Sequence, residues 1–443
     1  MPSPATTPAN KAKPDPNHYD IVIVGAGVAG ASAAYHLQKA VKEGTTILVL
    51  DAAPRAGHGI APRHSGSATM PAAPCVKMMV ACYSGSSAEF HHHHGSEGCR
   101  RYLQATKEGL VLQKGIAREI WNHDGCSVHL KELGSYYVAY KEDESELLNE
   151  FQQLKSFGCD DIEWCDKSRL DQVDGLSSKF HCGIYFPKDA VIDSSLYARA
   201  LLQYTLDQAK GSCEFWPDSV VSHVAENSAN NDPVVTITLQ SGQSIVADQV
   251  VMATGALFQD PRLYGILKPC YSYLVHVPIS TNQRDDGTFV CQDSPNFFTW
   301  NFTHDWCFTK GAVRTSGEDH FSAYKDPQSV ERCRNLSRWT LEQYDCPRAN
   351  NDDDDEEFWQ SIPQQYGLYS ETPDMAPLIG HLTKQSRICY LLGCNAWGQT
   401  ILSYCSSLVP GLLGYQDLSE SQHDCLKLVS IQRFCNLPAA LPS

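Results

Sequence analysis

The chain has 443 residues, a formal charge of −16 and a pI near 5.5. That is long enough for two domains, and an acidic balance argues against nucleic acid, whose phosphate backbone asks for a basic patch or stripe. No run of about eighteen apolar residues announces a membrane span, and residues 1–18, rich in Pro, Ala and Thr, read as a disordered lead-in without the apolar stretch of a signal peptide.

Asp20-Ile21-Val22-Ile23-Val24 is a short β-branched run of the kind that fills a parallel strand buried on both faces. Gly25-Ala26-Gly27-Val28-Ala29-Gly30 follows with G-x-G-x-x-G spacing. Gly25 permits the tight turn, Gly27 lets backbone approach a pyrophosphate, and Gly30 lets the next helix pack close to the strand. That helix repeats small or apolar residues at Ala33, Leu37, Ala40 and Val41 and offers phosphate the N–H groups of its first turn, from Val28 and Ala29 onward. The next strand, Thr46 to Leu50, closes on Asp51, about twenty residues past the last glycine, where a carboxylate can accept hydrogen bonds from an adenosine ribose. A tight turn that binds nothing would not need three glycines and the acid, so a dinucleotide-binding βαβ unit is expected.

From Pro54 to Thr69 the chain is too rich in Gly, Pro and Ser for a regular element. A loop there lies beside the cofactor. Ser65, Gly66 and Ser67 would let backbone N–H groups approach it, and Arg63 and His64 would bring positive charge, although an ordinary polar surface loop has the same composition. His91 to His94 cannot all face one metal, because neighbours on a helix or strand diverge by about 100° or 180°, so a solvated loop or helix start is expected and no metal site. Residues 101–121 read as a helix, Val128 to Tyr140 as sheet, and Glu142 to Phe157 as an acidic amphipathic helix. Asp193 or Ser194 is suited to N-cap a helix bearing Leu196, Ala200, Leu201 and Tyr204. Val234 to Leu239 and Ser244 to Ala247 read as a hairpin, followed by a buried strand, Gln249 to Ala256, that contains Ala253-Thr254-Gly255. Aromatic residues are dense between Lys268 and Gly367 and are read mainly as core, and the 18 scattered cysteines, with no C-x-x-C pair, as buried reduced thiols of an intracellular, cytoplasmic protein.

In this order the glycine opening, Val191 to Leu196, Ala253-Thr254-Gly255 and Thr372 to Gly380 resemble the D-amino acid oxidase and sarcosine oxidase family of FAD-dependent oxidoreductases. The resemblance covers Tyr19 to about Tyr415. Leu391 to Thr400 is similar to the family's last flavin-contacting turn, with Gly393, Gly398, Gln399 and Thr400 at a helix start whose dipole favours negative charge on reduced flavin. The fold it implies is α/β, α+β overall. A Rossmann-type FAD-binding domain (19–100, 188–267 and 368–443) is interleaved with an antiparallel-sheet substrate domain (101–187 and 268–367).

The resemblance also implies oxidation of a C–N bond in an amine or amino acid by hydride transfer to flavin N5, with O2 as the expected acceptor and imine and hydrogen peroxide as products. Lys310 falls where the sarcosine-oxidase branch has a lysine that promotes reaction with O2, and Arg314 is placed to salt-bridge a substrate carboxylate. Tyr369 belongs to the segment Gly367 to Asp374, which in that branch begins with the cysteine that carries covalent flavin. Gly367 stands in that cysteine's place, so noncovalent FAD is expected, and the segment lacks the arginine that amino-acid oxidases often place near here. An FAD-dependent dehydrogenase with another electron acceptor, and a flavin-binding assembly factor with little turnover, remain alternatives.

Overall fold

The structure is a computed structural model, and it describes residues 17–57, 78–79, 85–227, 233–256, 260–278, 294–309, 312–322, 328–344 and 356–434. Two eight-stranded sheets organise these residues. The first is built round His18–Val24, which pairs in parallel with Ile47–Leu50 on one side and Ser244–Met252 on the other. Cys213–Trp216 and Ile388–Leu392 extend it in parallel, and Leu378–His381 closes one edge antiparallel. The β-branched run behaves as its composition predicts. Ile21 and Ile23 pack into the large core under helices Val28–Ala40, Ser194–Gln208 and Gln399–Leu412, whereas Val22 packs on the opposite face with Leu48, Val235 and Ile237.

The second sheet runs in the order Gln364–Glu371, Lys268–Pro278, Ala312–Phe321, His304–Thr309, Asn296–Thr299, Ser135–Ala139, Cys182–Phe186, Glu163–Cys165. Alternation along its strands gives it two unlike faces. Tyr273, Val275 and Val277 pack on Cys333, Leu336 and Leu341 of helix Ser329–Gln343. Residues of opposite parity face the other way, where Tyr137 and Phe298 stack near Trp397, 5.5 and 4.6 Å between ring centroids. Trp397 stands just ahead of helix Gln399–Leu412, so this second face looks toward the first sheet's helices.

Several elements differ from expectation in extent. Only Ser135–Ala139 of the stretch Val128 to Tyr140 is a strand; Gly134 turns the chain with φ +76°, and Lys131 makes just an isolated bridge to Val191. Ser244–Met252 is one strand, not a hairpin arm and a separate strand, because its first half pairs antiparallel with Val234–Leu239 while its second half pairs in parallel with His18–Val24. The divisions at 100 and 367 fall inside helix Ser87–Asp124 and strand Gln364–Glu371, so continuous elements carry the chain past both positions. His91 to His94 does form a helix start, N-capped by Ser86, whose hydroxyl accepts from Glu89 N at 3.1 Å. His94 is not solvated, however: its Nε2 lies 2.7 Å from Asp374 O. Asp193 N-caps its helix as expected, accepting from Leu196 N at 2.9 Å. The described cysteines are free thiols, all buried except Cys126 and Cys394, which are half-buried, and no described helix is long and apolar enough to cross a membrane.

Candidate active site

The glycine turn leaves the end of His18–Val24 and is held by Gly25 N donating to Leu50 O at 2.8 Å. Its glycines divide by what surrounds them. A Cβ on Gly25, whose φ is +105°, would lie 2.3 Å from Ala253 O, and one on Gly30 would lie 1.8 Å from Gly25 O, so both are required by the protein's own packing. Gly27 has an ordinary φ of −71°, and a Cβ there would meet nothing within 4 Å. Space is kept clear on the outer side of this turn, where the first N–H groups of helix Val28–Ala40 have no intrahelical acceptor. That is the room and the donor set a pyrophosphate needs.

Asp51 does more than was expected of it. Its Oδ2 accepts from Ala26 N at 2.6 Å and its Oδ1 from Ala53 N at 2.8 Å, so the carboxylate ties the glycine turn to the following loop. The acid so held stands at the strand end where an adenosine ribose would be met. Thr254 and Gly255 follow the neighbouring strand, joined to the first by Ala253 N donating to Val24 O at 2.9 Å. The third turn, Gly393 to Gly398, has Asn395 and Ala396 at φ +48° and +60°. Asn395 holds it: Oδ1 accepts from Thr372 N at 2.7 Å and Nδ2 donates to Gly393 O at 3.0 Å. Gly398 caps helix Gln399–Leu412, Gln399 accepts from Ser194 Oγ, and Thr400 is fully buried. Thr254 Oγ1 and Gln399 Nε2 are buried with no hydrogen-bond partner among the described residues. Orphaned polar atoms at two of the three turns fit a site built for a bound dinucleotide.

Strand Gln364–Glu371 connects these turns to the second sheet. Asn395 N donates to Ser370 O at 3.0 Å and Ser370 Oγ lies 3.4 Å from Gly255 O, which brings Tyr369 and Glu371 beside the second and third turns. The Tyr369 hydroxyl is 2.8 Å from Asp319 Oδ2 and 3.1 Å from Glu371 Oε1. Burial raises the pKa of Tyr369, and the Asp319 and Glu371 charges raise it further. Burial likewise lifts both carboxyls above their ordinary range, with hydrogen bonds from Ser272 and Tyr369 pulling against it at Asp319 and the Tyr369 hydrogen bond doing so at Glu371. Asp319 is exposed on its strand, so the recess between this sheet face and the turns opens to solvent at this end.

Arg314 lies on the same face farther along, 1% exposed, with Nη1 3.9 Å from Cys307 Sγ and no partner for Nε among the described residues. Its charge pulls down Asp305, whose carboxyl burial raises and to which Ser316 Oγ donates. Lys310 and the loop residues Arg63, His64, Ser65, Gly66 and Ser67 lie outside the described residues. Asp305, Asp319, Glu371 and Asn395 were missed from sequence. A lone acid in a strand carries no motif, and only the pairing of four strands collects these groups.

The remaining polar cluster lies behind the third turn. Arg433 donates to both oxygens of Asp374, at 2.6 and 2.9 Å, and to Ala376 O and Pro377 O, at 2.7 and 2.9 Å. It fastens the turn Ile431–Phe434 to the Thr-Pro-Asp segment. His94 completes the cluster and is held below its ordinary pKa, chiefly by burial.

A family model described as FAD dependent oxidoreductase matches residues 20–409. A D-amino acid dehydrogenase of Neisseria meningitidis serogroup C (strain 053442) is 22% identical over 454 residues, spanning 93% of this chain and 99% of the relative. Among solved structures, glycine oxidase from Geobacillus kaustophilus superposes with a TM-score of 0.66 at 18% identity, covering 91% of this chain and 96% of its own. L-proline dehydrogenase from P. horikoshii superposes with a TM-score of 0.62 at 16% identity, covering 95% and 98%.

Proposed function

The chain belongs to the family of FAD-dependent oxidoreductases, and from that premise we propose that it oxidises the C–N bond of an amino acid or amine, with O2 as the electron acceptor. The observation that carries the reading is the attachment of the Tyr369–Glu371 strand end to two cofactor turns, through Ser370, Asn395 and Gly255, because it sets titratable groups beside the cradle for FAD. When bound, FAD would supply the redox chemistry, as acceptor of the hydride from the carbon that bears nitrogen. Gly27, Val28 and Ala29 would hold its pyrophosphate and Asp51 its ribose, with Gly25 and Gly30 shaping the turn. Thr254, Gly255, Gly393, Gly398, Gln399 and Thr400 would line its ring end, while Ser65, Gly66 and Ser67 would offer it backbone N–H groups and Arg63 and His64 positive charge. Attachment is noncovalent in this reading, since Gly367 has no side chain to link.

The chain's own residues bind and orient the substrate. Arg314 is the group for a substrate carboxylate, and Asp305 beside it is the acceptor for the ammonium proton, which must leave before the C–H bond can break. Tyr369 orients the substrate from the opposite end of the recess. Lys310 belongs to the link between strands His304–Thr309 and Ala312–Phe321, and a cation there would favour negative charge developing on O2.

The dehydrogenase reading is supported by the Neisseria relative's name and differs only in the acceptor. Purified holoprotein supplied with a panel of amines and amino acids, followed in parallel by oxygen consumption and dye reduction, distinguishes the two. Turnover with peroxide release supports the oxidase; dye reduction with slow oxygen uptake supports the dehydrogenase. Lys310→Met should slow reoxidation about a hundredfold if about 3 kcal/mol of charge stabilisation is lost, while leaving flavin reduction nearly intact.

A further inference from the structure

The recess is unevenly charged along its length. On the face turned away from helix Ser329–Gln343, the register places Cys307 opposite Arg314 and Asp305 opposite Ser316, and farther along the same strand comes Asp319, with Tyr369 and Glu371 across from it. Arg314 and Asp319 are five residues apart on Ala312–Phe321, and a bulge at Gly317 and Glu318 takes up one residue and returns both to the same face, leaving about 13 Å of strand at roughly 3.3 Å per residue. The long arginine side chain shortens that gap, but it still exceeds the span between the two charges on a single α-carbon.

Each end has an unmet demand. Tyr369 has one hydroxyl proton and two carboxylate neighbours, so it serves at most one of them fully. Ser272 also hydrogen-bonds Asp319, the charge of Arg332 bears on it, and Lys268 stands opposite Glu371 on the neighbouring strand, but Arg332 also donates to Glu318 O at 3.1 Å and Glu89 adds a further negative charge near Glu371, so acids outnumber cations at this end. At the other end Arg314 Nε, almost wholly buried, has no acceptor among the described residues. The Asn296 side chain, 1% exposed and at the start of the strand beside Cys307, has neither amide atom paired among them. A buried donor without an acceptor costs about 1–3 kcal/mol, so such groups are kept where a ligand completes them.

We infer that the substrate is an amino acid with a cationic side chain, its carboxylate at the Arg314 end of the recess and its side-chain cation between Asp319 and Glu371. This rests on the amino-acid reading above and goes beyond it in naming the class. It also accounts for a tyrosine flanked by acids in the segment where amino-acid oxidases often carry an arginine. The charge that segment presents to a substrate is inverted, and the anion-binding role passes to Arg314.

The test compares substrates matched in length. D- and L-lysine, D- and L-norleucine, D- and L-glutamate, and cadaverine, which lacks the carboxylate, are each mixed with the holoprotein, and flavin reduction is followed. The expected result is a kcat/KM for one lysine enantiomer about ten- to a hundredfold above that for the matching norleucine, the range of hydrogen bonds to a charged group. Glutamate and cadaverine should be poor. Asp319→Asn and Glu371→Gln should each shrink the lysine-to-norleucine ratio, mainly through KM. Norleucine equal to lysine, a preference for glutamate, or cadaverine equal to lysine overturns the inference while leaving amino-acid or amine oxidation standing. Failure of every compound to reduce the flavin instead counts against the proposed function. The wild-type comparison decides the matter even if both variants fail to fold.

Discussion

Gly27→Val isolates cofactor binding from folding. The backbone at Gly27 is ordinary, φ −71° and ψ −172°, and the added Cβ meets no protein atom within 4 Å, so the variant fold carries no built-in clash. Its cost without cofactor is that of a poorer helix N-cap, about 1 kcal/mol or less. Gly25→Ala is the opposite case. It forces a side chain onto a residue at φ +105° and within 2.3 Å of Ala253 O, adding about 1–2 kcal/mol of backbone strain to a steric clash. With FAD at a hundredfold excess over its Kd, binding stabilises the parent by about 2.7 kcal/mol, and Gly27→Val should lose that increment almost entirely. Thermal melts with and without added FAD, and flavin per chain after gel filtration, measure both effects. Gly27→Val should give folded, colourless protein that melts close to the parent's cofactor-free form; Gly25→Ala should melt lower with or without FAD. Folded Gly27→Val with full flavin content and an unreduced FAD shift would show that this turn is not the phosphate site.

Arg433→Ala removes both hydrogen bonds to Asp374 and leaves a partly buried carboxylate uncompensated, so urea unfolding should show a loss of about 3 kcal/mol, accompanied by weaker flavin retention. Burial holds His36 and His304 down to about 4 in the folded chain, whereas each titrates near 6.5 when unfolded. The unfolded state therefore binds more protons between those values, and stability should fall as pH drops from about 6.5 to about 4. Denaturation midpoints across that range should flatten in His304→Gln if the buried ring is responsible. Acid precipitation should release the yellow colour into the supernatant, and colour retained in the pellet would direct attention to Cys389 or Cys394 as an attachment point.

The glycine turn and its flanking strands were legible because their determinants are local. Three glycines, an acid and their spacing describe one turn, and Ile21 to Val24 and Ile47 to Leu50 became the buried parallel strands that their composition implies. The helix cap at Asp193 was equally local, one side chain and one N–H three residues on. The recess was not legible, because Asp305, Asp319, Glu371 and Arg314 meet only through the antiparallel register of strands far apart in sequence. Asp51 was legible as an acid at a strand end, but its two backbone hydrogen bonds depend on where the glycine turn comes to rest. Val128 to Tyr140 shows the limit of alternation: the pattern suits a strand, but Gly134 turns the backbone and pairing begins only at Ser135.

The most direct test of the account is a single anaerobic experiment on the holoprotein. The flavin absorbance is followed in a stopped-flow instrument after mixing with each member of a panel of amino acids and amines, and oxygen is then admitted. The account predicts rapid bleaching by at least one compound that carries a C–N bond next to a removable hydrogen, followed on oxygenation by recovery of the colour and release of one hydrogen peroxide per flavin. A flavin that no amine or amino acid bleaches would contradict it.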